Sequence, residues 1–385
     1  MNTTKLTITL QSITDLDEGI HIIAITGGPC GGKTTGLVRL EQMLKDRGYK
    51  VLVSPESATK LIMGGFHPWE IERAIFQRQL ILDTLMQEER FITAAREYRK
   101  LGHKVVILCD RGVIDGQAYT SGAEEFEGMI TDLGLSINSV CNNRYHAIIH
   151  LRTAALGAEE FYTLENNGAR KETPEEARMF DQKILEAWQR HHHPRVIDNS
   201  TDFNGKIDRL FAEVCAVLGD PEPLEIEQKF LIELFDLAVI PSHMTMSQIV
   251  QDYLISPNEG EERRVRARTD DAGTSYFYTI KRKVRAGVRV EIERVIDAEE
   301  YERLLSLKDK NLETIRKQRA CFFFQGQFLE VDIFESPARH FGLWLMEIEQ
   351  SSIQRDLVIP SFIKILKEVT DDENYSNRSI AGFTG

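Results

Sequence analysis

The segment Gly27–Thr34 reads GGPCGGKT and fits the pattern GxxxxGK[ST]. Ile22–Thr26 precedes it as a short apolar strand, and Thr34–Asp46 follows with helical periodicity that ends near Gly48. A strand, a glycine-rich loop and a helix in this order bring backbone N–H groups and the positive end of a helix dipole together, which suits phosphate oxygens. The alternative, a glycine turn with an exposed lysine, explains neither the strand nor the helix.

A phosphate loop of this kind predicts a bound nucleoside triphosphate, ATP or GTP, with Mg²⁺ or Mn²⁺. Lys33 is expected to reach the β- and γ-phosphates, and the Thr34 hydroxyl to contact the metal. The sequence has no guanine-reading NKxD motif, so the choice between ATP and GTP stays open. The loop residues expected to contact the nucleotide are Gly27, Gly28, Pro29, Cys30, Gly31, Gly32, Lys33, Thr34 and Thr35.

Further strands alternate with helical stretches along the first half of the chain. The predicted strands are Tyr49–Val53, Lys104–Cys109, Ala147–Leu151 and Arg195–Ile197, and the longest predicted helix covers Trp69–Leu101. This alternation predicts an α/β domain with a parallel sheet at residues 21–218, preceded by an extension at 1–20 to which we assign no function.

Three polar positions stand where a phosphotransferase needs them. Asp110 ends an apolar strand and could hold Mg²⁺ through water, Arg111 could meet a phosphate, and Glu56 could act as a base or hydroxyl ligand. Helix capping is the alternative for Asp110. Cations after the fourth strand could close over the nucleotide as a lid or form a solvated surface; they are Arg152, Arg170, Lys171 and Arg178.

Three consecutive histidines, His191–His193, invite a metal interpretation. Adjacent residues do not share one face of a helix or strand, so a single ion cannot easily take all three. A helix C-terminus, where a protonated histidine suits the dipole, is the better prediction.

The pattern changes to period two after residue 218. Pro221 and Pro223 predict a linker at 219–223, because two prolines so close cannot lie inside a helix or a central strand. Residues 224–385 then predict an α+β domain built on an eight-stranded antiparallel barrel, with helices near Ala298–Leu307 and the chain end. The strands are Leu224–Leu231, Gln248–Leu254, Arg263–Thr269, Ser275–Lys283, Val288–Ile296, Thr314–Phe324, Gln327–Phe334 and Leu343–Glu349.

Charged residues recur at alternate positions of these strands, so they share faces. A solvated face is the usual explanation for one strand. Here the intervening residues are apolar and would pack outward: Ile226, Phe230, Ile292, Val331, Ile333, Leu345, Met346 and Ile348. The charged faces would then line a tunnel in which cations hold phosphate oxygens and carboxylates hold Mg²⁺ or Mn²⁺. The cations are Lys229, Arg264, Arg266, Arg268, Lys281, Arg289, Lys317 and Arg319, and the acids include Glu225, Glu227, Glu330, Asp332, Glu347 and Glu349.

Two family resemblances follow from these motifs. GGPCGGKTTG at 27–36, PESAT at 55–59, DRG at 110–112 and IDNSTDFNGKIDR at 197–209 resemble the AAA-type domain of ribosylnicotinamide kinases and TRPL-translocation-defect proteins. Glu225-Ile-Glu227-Gln-Lys229 and the later charged strands resemble the CYTH or triphosphate-tunnel family over about residues 224–370.

The second resemblance implies a ligand set and an activity. Asp332, Glu347 and Glu349 would join Glu225 and Glu227 around the metal, and a metal-activated water would attack a terminal phosphorus. The arginine strand fits the family in two registers, with Arg268 in one of them.

The chain carries a net charge of −13, which argues against direct nucleic-acid binding by bulk charge. Five scattered cysteines, no predicted membrane span and no secretory signal suit a cytoplasmic protein. Two hypotheses stay open. One is an enzyme whose P-loop domain acts as an NTPase or small-molecule kinase while its barrel cleaves or binds a polyphosphate-type anion, and the other is a nucleotide-gated protein that binds a phosphorylated ligand. A phosphoinositide headgroup would then give peripheral membrane contact.

Overall fold

The computed structural model describes residues 10–162, 172–220, 224–240, 244–258, 260–285, 288–350 and 357–382, and only the backbone at 224–226, 283–285, 288–289 and 350. The chain divides into two compact units, Met1–Val214 and Cys215–Gly385. Pro221 and Pro223 of the predicted linker, and Arg170 and Lys171 of the predicted lid, lie outside the described residues.

The first unit is built on a five-stranded parallel sheet, which confirms the predicted α/β class. Its strands are β1 (Ile20–Thr26), β2 (Tyr49–Ser54), β3 (Lys104–Asp110), β4 (Ala147–Leu151) and β5 (Pro194–Ile197). They lie in the order β2-β3-β1-β4-β5, so β1 is central and the loop that follows it leaves the middle of the sheet. Such a position gathers the carboxyl ends of all five strands around one site.

Helices follow or precede each strand of this sheet along the chain. Their bounds are α1 (Lys33–Asp46), α2 (Ser57–Met63), α3 (Arg73–Lys100), α4 (Ala123–Asp132), α5 (Ile137–Val140), α6 (Pro174–Ala187) and α7 (Phe203–Leu218). The helix predicted from Trp69 begins four residues later, because Glu72 has an extended backbone and residues before it form turns. No helix in the described part of the chain is long and apolar enough to cross a membrane.

The histidine run follows the end of α6 and a short 3-10 turn at Trp188–Arg190, as predicted. His191 is fully buried rather than presented to the helix end: its Nε2 lies 3.0 Å from the Tyr145 carbonyl oxygen, and its ring stacks on His192. The run thus lies at the predicted helix C-terminus, where tertiary packing also encloses the His191 imidazole.

The second unit contains the eight predicted strands, and their pairing closes a barrel. They are β6 (Leu224–Ile232), β7 (Thr245–Leu254), β8 (Glu261–Asp270), β9 (Gly273–Arg285), β10 (Val288–Ile296), β11 (Ile315–Phe324), β12 (Gln327–Ser336) and β13 (Trp344–Gln350). Antiparallel neighbours run β10-β9-β8-β7-β11-β12-β13-β6, and β10 pairs with β6 to complete the ring. A short strand that the sequence did not indicate, β14 (Ile365–Glu368), adds to β6.

Alternation along the strands separates a charged interior from apolar outer faces. Phe230, Val331, Met346 and Ile348 pack outside in one cluster, and Val265 and Ile296 pack under α8 (Ala298–Leu305) in another. Leu345 differs from prediction: it lies opposite Asp332 on the inner face. Ile292 also differs, since its side chain is 43% exposed.

An apolar cluster lies at one end of the barrel strands. Leu345 joins Tyr253, Ile315 and Phe334 there, and Ile380 and Ala381 of α9 (Asn377–Ala381) complete the cluster. Leu312 forms a bridge with Gly382, which fixes the end of this helix. Apolar side chains therefore replace the charged ones on the inner face at this end of β11, β12 and β13.

Candidate phosphate sites in the two units

The loop after β1 is shaped by close contacts that only glycine permits. Gly27 has a φ of 137°, and a Cβ there would lie 2.1 Å from the Leu151 carbonyl oxygen at the end of β4. A Cβ on Gly31 would lie 2.6 Å from the same oxygen. Gly32 has a φ of 84°, in the left-handed region that favours glycine. These close contacts hold the loop against the end of β4, and the left-handed backbone at Gly32 leads the chain into α1.

The remaining loop residues hold the same arrangement. The Pro29 carbonyl oxygen accepts a hydrogen bond from the Thr153 hydroxyl, and the Cys30 carbonyl oxygen accepts one from the Ala154 N–H at 3.1 Å. Thr34 and Thr35 are exposed in the first turn of α1. Their hydroxyls are therefore accessible to a ligand that binds over the helix N-terminus.

Lys33 folds back over the loop. Its Nζ donates to the carbonyl oxygens of Gly27 and Gly28 at 3.0 and 3.1 Å, and the side chain is buried. Burial and the Arg111 charge lower the pKa of Lys33 to about 8, although Asp110 and other acids act in the opposite direction. An amine so held is positioned beside the loop for a phosphate oxygen.

Arg111 joins two carboxylates next to the loop. Its Nε donates to Glu56 at 2.6 Å, and its Nη1 donates to Gly27 O at 3.1 Å and lies 3.3 Å from Asp115 Oδ2. Burial raises the pKa of Glu56, but the positive charges of Arg111 and Lys33 have the larger, opposite effect, so this pKa lies at about 2. The structure thus brings the predicted Glu56 and Arg111 together and adds Asp115, which the sequence reasoning missed.

Asp110 has the features of a carboxylate that awaits a ligand. Its Oδ1 is buried with no hydrogen-bond partner, and burial raises its pKa despite nearby Lys33. An orphaned buried oxygen beside a phosphate loop fits a hydrated Mg²⁺. With the accessible Thr34 hydroxyl, the residues present fit the predicted metal.

Asp181 of α6 is a second acid that the sequence reasoning missed. Its Oδ1 accepts hydrogen bonds from the backbone N–H groups of Gly28 and Thr153 at 3.0 and 2.9 Å, and its Oδ2 lies 2.9 Å from Arg152 Nη1. Burial raises its pKa, but His150, Arg152 and the hydrogen bonds hold it at about 2. Asp181 thus holds the phosphate loop in place through Gly28, and the same carboxylate orients the Arg152 guanidinium. Arg178 donates to the Ala155 carbonyl oxygen.

The barrel interior pairs its predicted cations with its predicted acids on one side. Arg319 donates to Asp332 at 2.6 and 2.7 Å, to Glu347 at 2.9 Å, and to Glu330. Lys229 Nζ lies 2.8 Å from Glu347 and 3.4 Å from Glu227. Burial acts against ionisation, yet these cations hold the pKa of Glu347 well below its usual value.

Lys317 lies deeper beside the same acids. Its Nζ is 2.5 Å from Asp332 Oδ2, and the side chain is almost fully buried. Burial and the Arg319 charge lower the pKa of Lys317 to about 8, against the attraction of Asp332. This lysine is therefore closer to losing its proton than a surface lysine.

The opposite wall repeats the pairing with other acids. Arg264 donates to Glu291 at 3.0 Å, and Lys281 lies 2.6 Å from the same carboxylate. Arg266 donates to both oxygens of Glu293 at 2.9 and 3.1 Å. Glu291 and Glu293 were not among the predicted site residues, although their alternation with Arg289 on β10 carried the signal.

Arg268 differs from the other described interior cations. It is 6% exposed, and its only hydrogen bond to a described residue runs from Nη2 to the Cys321 sulfur at 3.7 Å. No carboxylate pairs with it in the described part of the barrel, and its Nε has no partner. The nearby strand β7 presents the Ser247 hydroxyl, also buried and without a partner. An unpaired buried guanidinium favours an anion as its missing partner.

The predicted metal ligands of the barrel are only partly brought together. Glu227 and Glu349 lie directly opposite each other on β6 and β13, so they share a face. The backbone of Glu225 lies opposite that of Arg289, and the side chains of both fall outside the described residues. Among the described side chains, no group of three or more His, Cys, Asp or Glu is arranged to hold a metal.

The part of the chain that contains the phosphate loop matches a known protein family. A family model described as an AAA domain matches residues 22–206. Residues 22–206 form an AAA-type P-loop domain. No curated protein matches the chain.

Several solved structures are similar to part of the chain. The inorganic triphosphatase NE1496 is 28% identical over 42% of this chain and 97% of its own, with a TM-score of 0.30. The PH1819 protein of Pyrococcus horikoshii is 20% identical over 36% of this chain and 80% of its own (TM-score 0.25). HpAC1 of Hippeastrum, which has a dominant triphosphatase activity, is 19% identical over 34% and 80% (TM-score 0.25).

Proposed function

We propose that the P-loop unit binds ATP or GTP with a divalent metal, and that the barrel binds and hydrolyses a linear polyphosphate such as tripolyphosphate. The observation that carries the barrel assignment is Arg268, a buried cation with no carboxylate partner among the described residues. An ion pair network that served stability alone would not leave a guanidinium unpaired, since an uncompensated buried charge costs several kcal/mol.

The P-loop residues have separate tasks in this proposal. Backbone N–H groups of the glycine loop and the Lys33 ammonium would hold the phosphates, and the position of the Lys33 amine at the Gly27 and Gly28 carbonyl oxygens supports this role. Asp110 and Thr34 would hold Mg²⁺, which supplies charge neutralisation of the phosphates when bound. Glu56, kept ionised by Arg111, is placed to accept a hydrogen bond from an acceptor hydroxyl or a water.

The barrel residues also have separate tasks towards the ligand. Arg264, Arg266 and Arg268 follow one strand at alternate positions, about 6.6 Å apart, and so can contact successive parts of a linear anion. Glu227 and Glu349, with Glu225, would hold the metal, which supplies an activated water when bound. The Arg319 guanidinium, oriented by Asp332, would contact phosphate oxygens in place of Glu347.

Phosphate release tests the proposal. Tripolyphosphate, ATP and GTP are supplied with Mg²⁺ or Mn²⁺ to the wild type, to Lys33→Ala and to Glu225→Gln/Glu227→Gln. Glu233→Gln, an exposed carboxylate paired with Lys364 just after β6, is the matched control. Release from tripolyphosphate should survive Lys33→Ala and Glu233→Gln and be lost in the double variant. Absence of release from every substrate would exclude the hydrolase.

A second function is favoured by one observation in the barrel. Asp332 and Glu347, predicted as metal ligands, are instead bound by Lys317, Arg319 and Lys229. Acids engaged this way suit a protein that binds a phosphorylated ligand, such as a phosphoinositide headgroup, without turnover and under control of the bound nucleotide. Nucleotide-dependent tripolyphosphate affinity without phosphate release would support this function.

A further inference from the structure

An exposed aromatic ring lies against the phosphate loop and has no role in the site described so far. Phe203 begins α7, and its side chain is 39% exposed. A Cβ on Gly32 would lie 2.7 Å from the Phe203 ring atom Cε2, so the glycine admits the ring to the loop. A large apolar side chain left partly in water at a ligand site is a candidate for ligand contact.

Neighbouring polar groups hold this ring in place. The Arg39 guanidinium of α1 lies 5.4 Å from the ring centroid, within cation–π range. The same guanidinium donates to Asn204 Oδ1 at 2.6 Å, which links α1 to the start of α7. A ring held over one face by Arg39 and still 39% exposed is preorganised to stack on its other face.

The sheet order indicates which end of a nucleotide would reach Phe203. Glu56 follows β2 and Asp110 ends β3, and both strands lie on one side of central β1. Phe203 follows β5, on the other side. If the terminal phosphate points towards the acids and Arg111, the nucleoside must extend across the loop towards β4 and β5.

We propose that Phe203 is the stacking platform for the nucleobase, with Arg39 as the residue that positions its ring. The inference rests on the proposed nucleotide binding by the P-loop. Stacking uses the π face that adenine and guanine share, so it serves ADP and GDP alike. Loss of a base–aromatic stack costs roughly 1–3 kcal/mol, which corresponds to about 5- to 150-fold in affinity.

The test compares ligands with and without a base at the same site. A fluorescent ADP analogue whose binding is lost in Lys33→Ala reports the P-loop site alone, and ADP, GDP and pyrophosphate displace it. Phe203→Ala should raise the inhibition constants of ADP and GDP about 5- to 150-fold and leave that of pyrophosphate within about twofold. Phe203→Trp should retain the wild-type values.

The same helix supplies a matched control. Phe211 of α7 also lies under an arginine, with the Arg47 guanidinium 5.0 Å from its ring centroid, but it lies two turns from the loop. Phe211→Ala should leave all three inhibition constants unchanged. If Phe203→Ala weakens pyrophosphate as much as ADP, or weakens neither, the platform is refuted. If the wild type itself shows no Lys33-dependent binding, the proposed nucleotide site fails instead.

Discussion

Replacing Glu347 with glutamine should tighten polyphosphate binding when no metal is present. Glu347 is buried and accepts from Lys229 at 2.8 Å and Arg319 at 2.9 Å. An anion that enters the barrel must compete with this carboxylate for the same cations. Glutamine keeps the shape and removes the negative charge, while Lys229 keeps Glu227 as a partner.

The size of the effect follows from the charge removed. One unit charge about 7 Å from a ligand charge, at an effective dielectric constant of about 20, contributes about 2 kcal/mol. That energy corresponds to roughly 30-fold in the dissociation constant. With Mg²⁺ present the gain should shrink, because a metal bound to the polyphosphate would neutralise part of the negative charge that Glu347 repels.

Calorimetric titration with tripolyphosphate measures both conditions, in EDTA and in Mg²⁺. The Lys33→Ala background removes the P-loop site, and Glu335→Gln, whose carboxylate accepts from Gln318 on the outer face, is the control. An unchanged or weaker metal-free affinity for Glu347→Gln, with the fold intact by circular dichroism, would refute the idea that interior acids compete with the ligand.

Two further predictions concern stability. Arg319→Met leaves three acids without their shared guanidinium and should lower the free energy of unfolding by about 3–5 kcal/mol. Exposed Arg316→Met on the same strand should change it by less than about 0.5 kcal/mol in urea titrations. His21 and His146 have pKa values of about 4 and about 3, mainly because burial disfavours their charged forms. Stability should therefore be full above pH 6.5 and fall as the pH drops towards 4, and His21→Gln should flatten this loss in thermal melts; an unchanged slope would contradict the assignment.

Local sequence patterns were sufficient for most of the fold. The loop Gly27–Thr34 and the eight barrel strands were predictable because period two and the GxxxxGK[ST] spacing are properties of short segments. Barrel closure between β6 and β10 depends on strands about sixty residues apart, so alternation alone could only suggest it. β14 escaped prediction because its four residues are exposed and carry no alternation of burial.

The sequence predicted less of the candidate site where residues from distant elements meet. Asp181 supports the loop from 153 residues away and belongs to no motif. A signal existed: Asp181 shares the buried stripe of α6 with Ala177, Ile184 and Leu185, and a carboxylate on such a stripe needs a buried partner. Asp115 similarly sits in a 3-10 segment, where spacing says little about its neighbours.

The pairing of barrel charges could not be predicted from alternation. The sequence left the arginine strand with two registers, and the structure places all three arginines inside, with Arg268 alone lacking a described carboxylate. Which acid meets which cation depends on cross-strand register, such as Glu347 opposite Lys229, and that register is a property of the folded sheet.

The most direct test of the barrel assignment is a crystal structure of the protein grown with tripolyphosphate and Mn²⁺, with anomalous data collected for the manganese. We expect phosphate density inside the barrel in contact with Arg268, and an anomalous peak beside Glu227 and Glu349. Phosphate and manganese density confined to the loop at Gly27–Thr34, with the interior ion pairs of Arg319 and Lys229 intact at saturating tripolyphosphate, would contradict it.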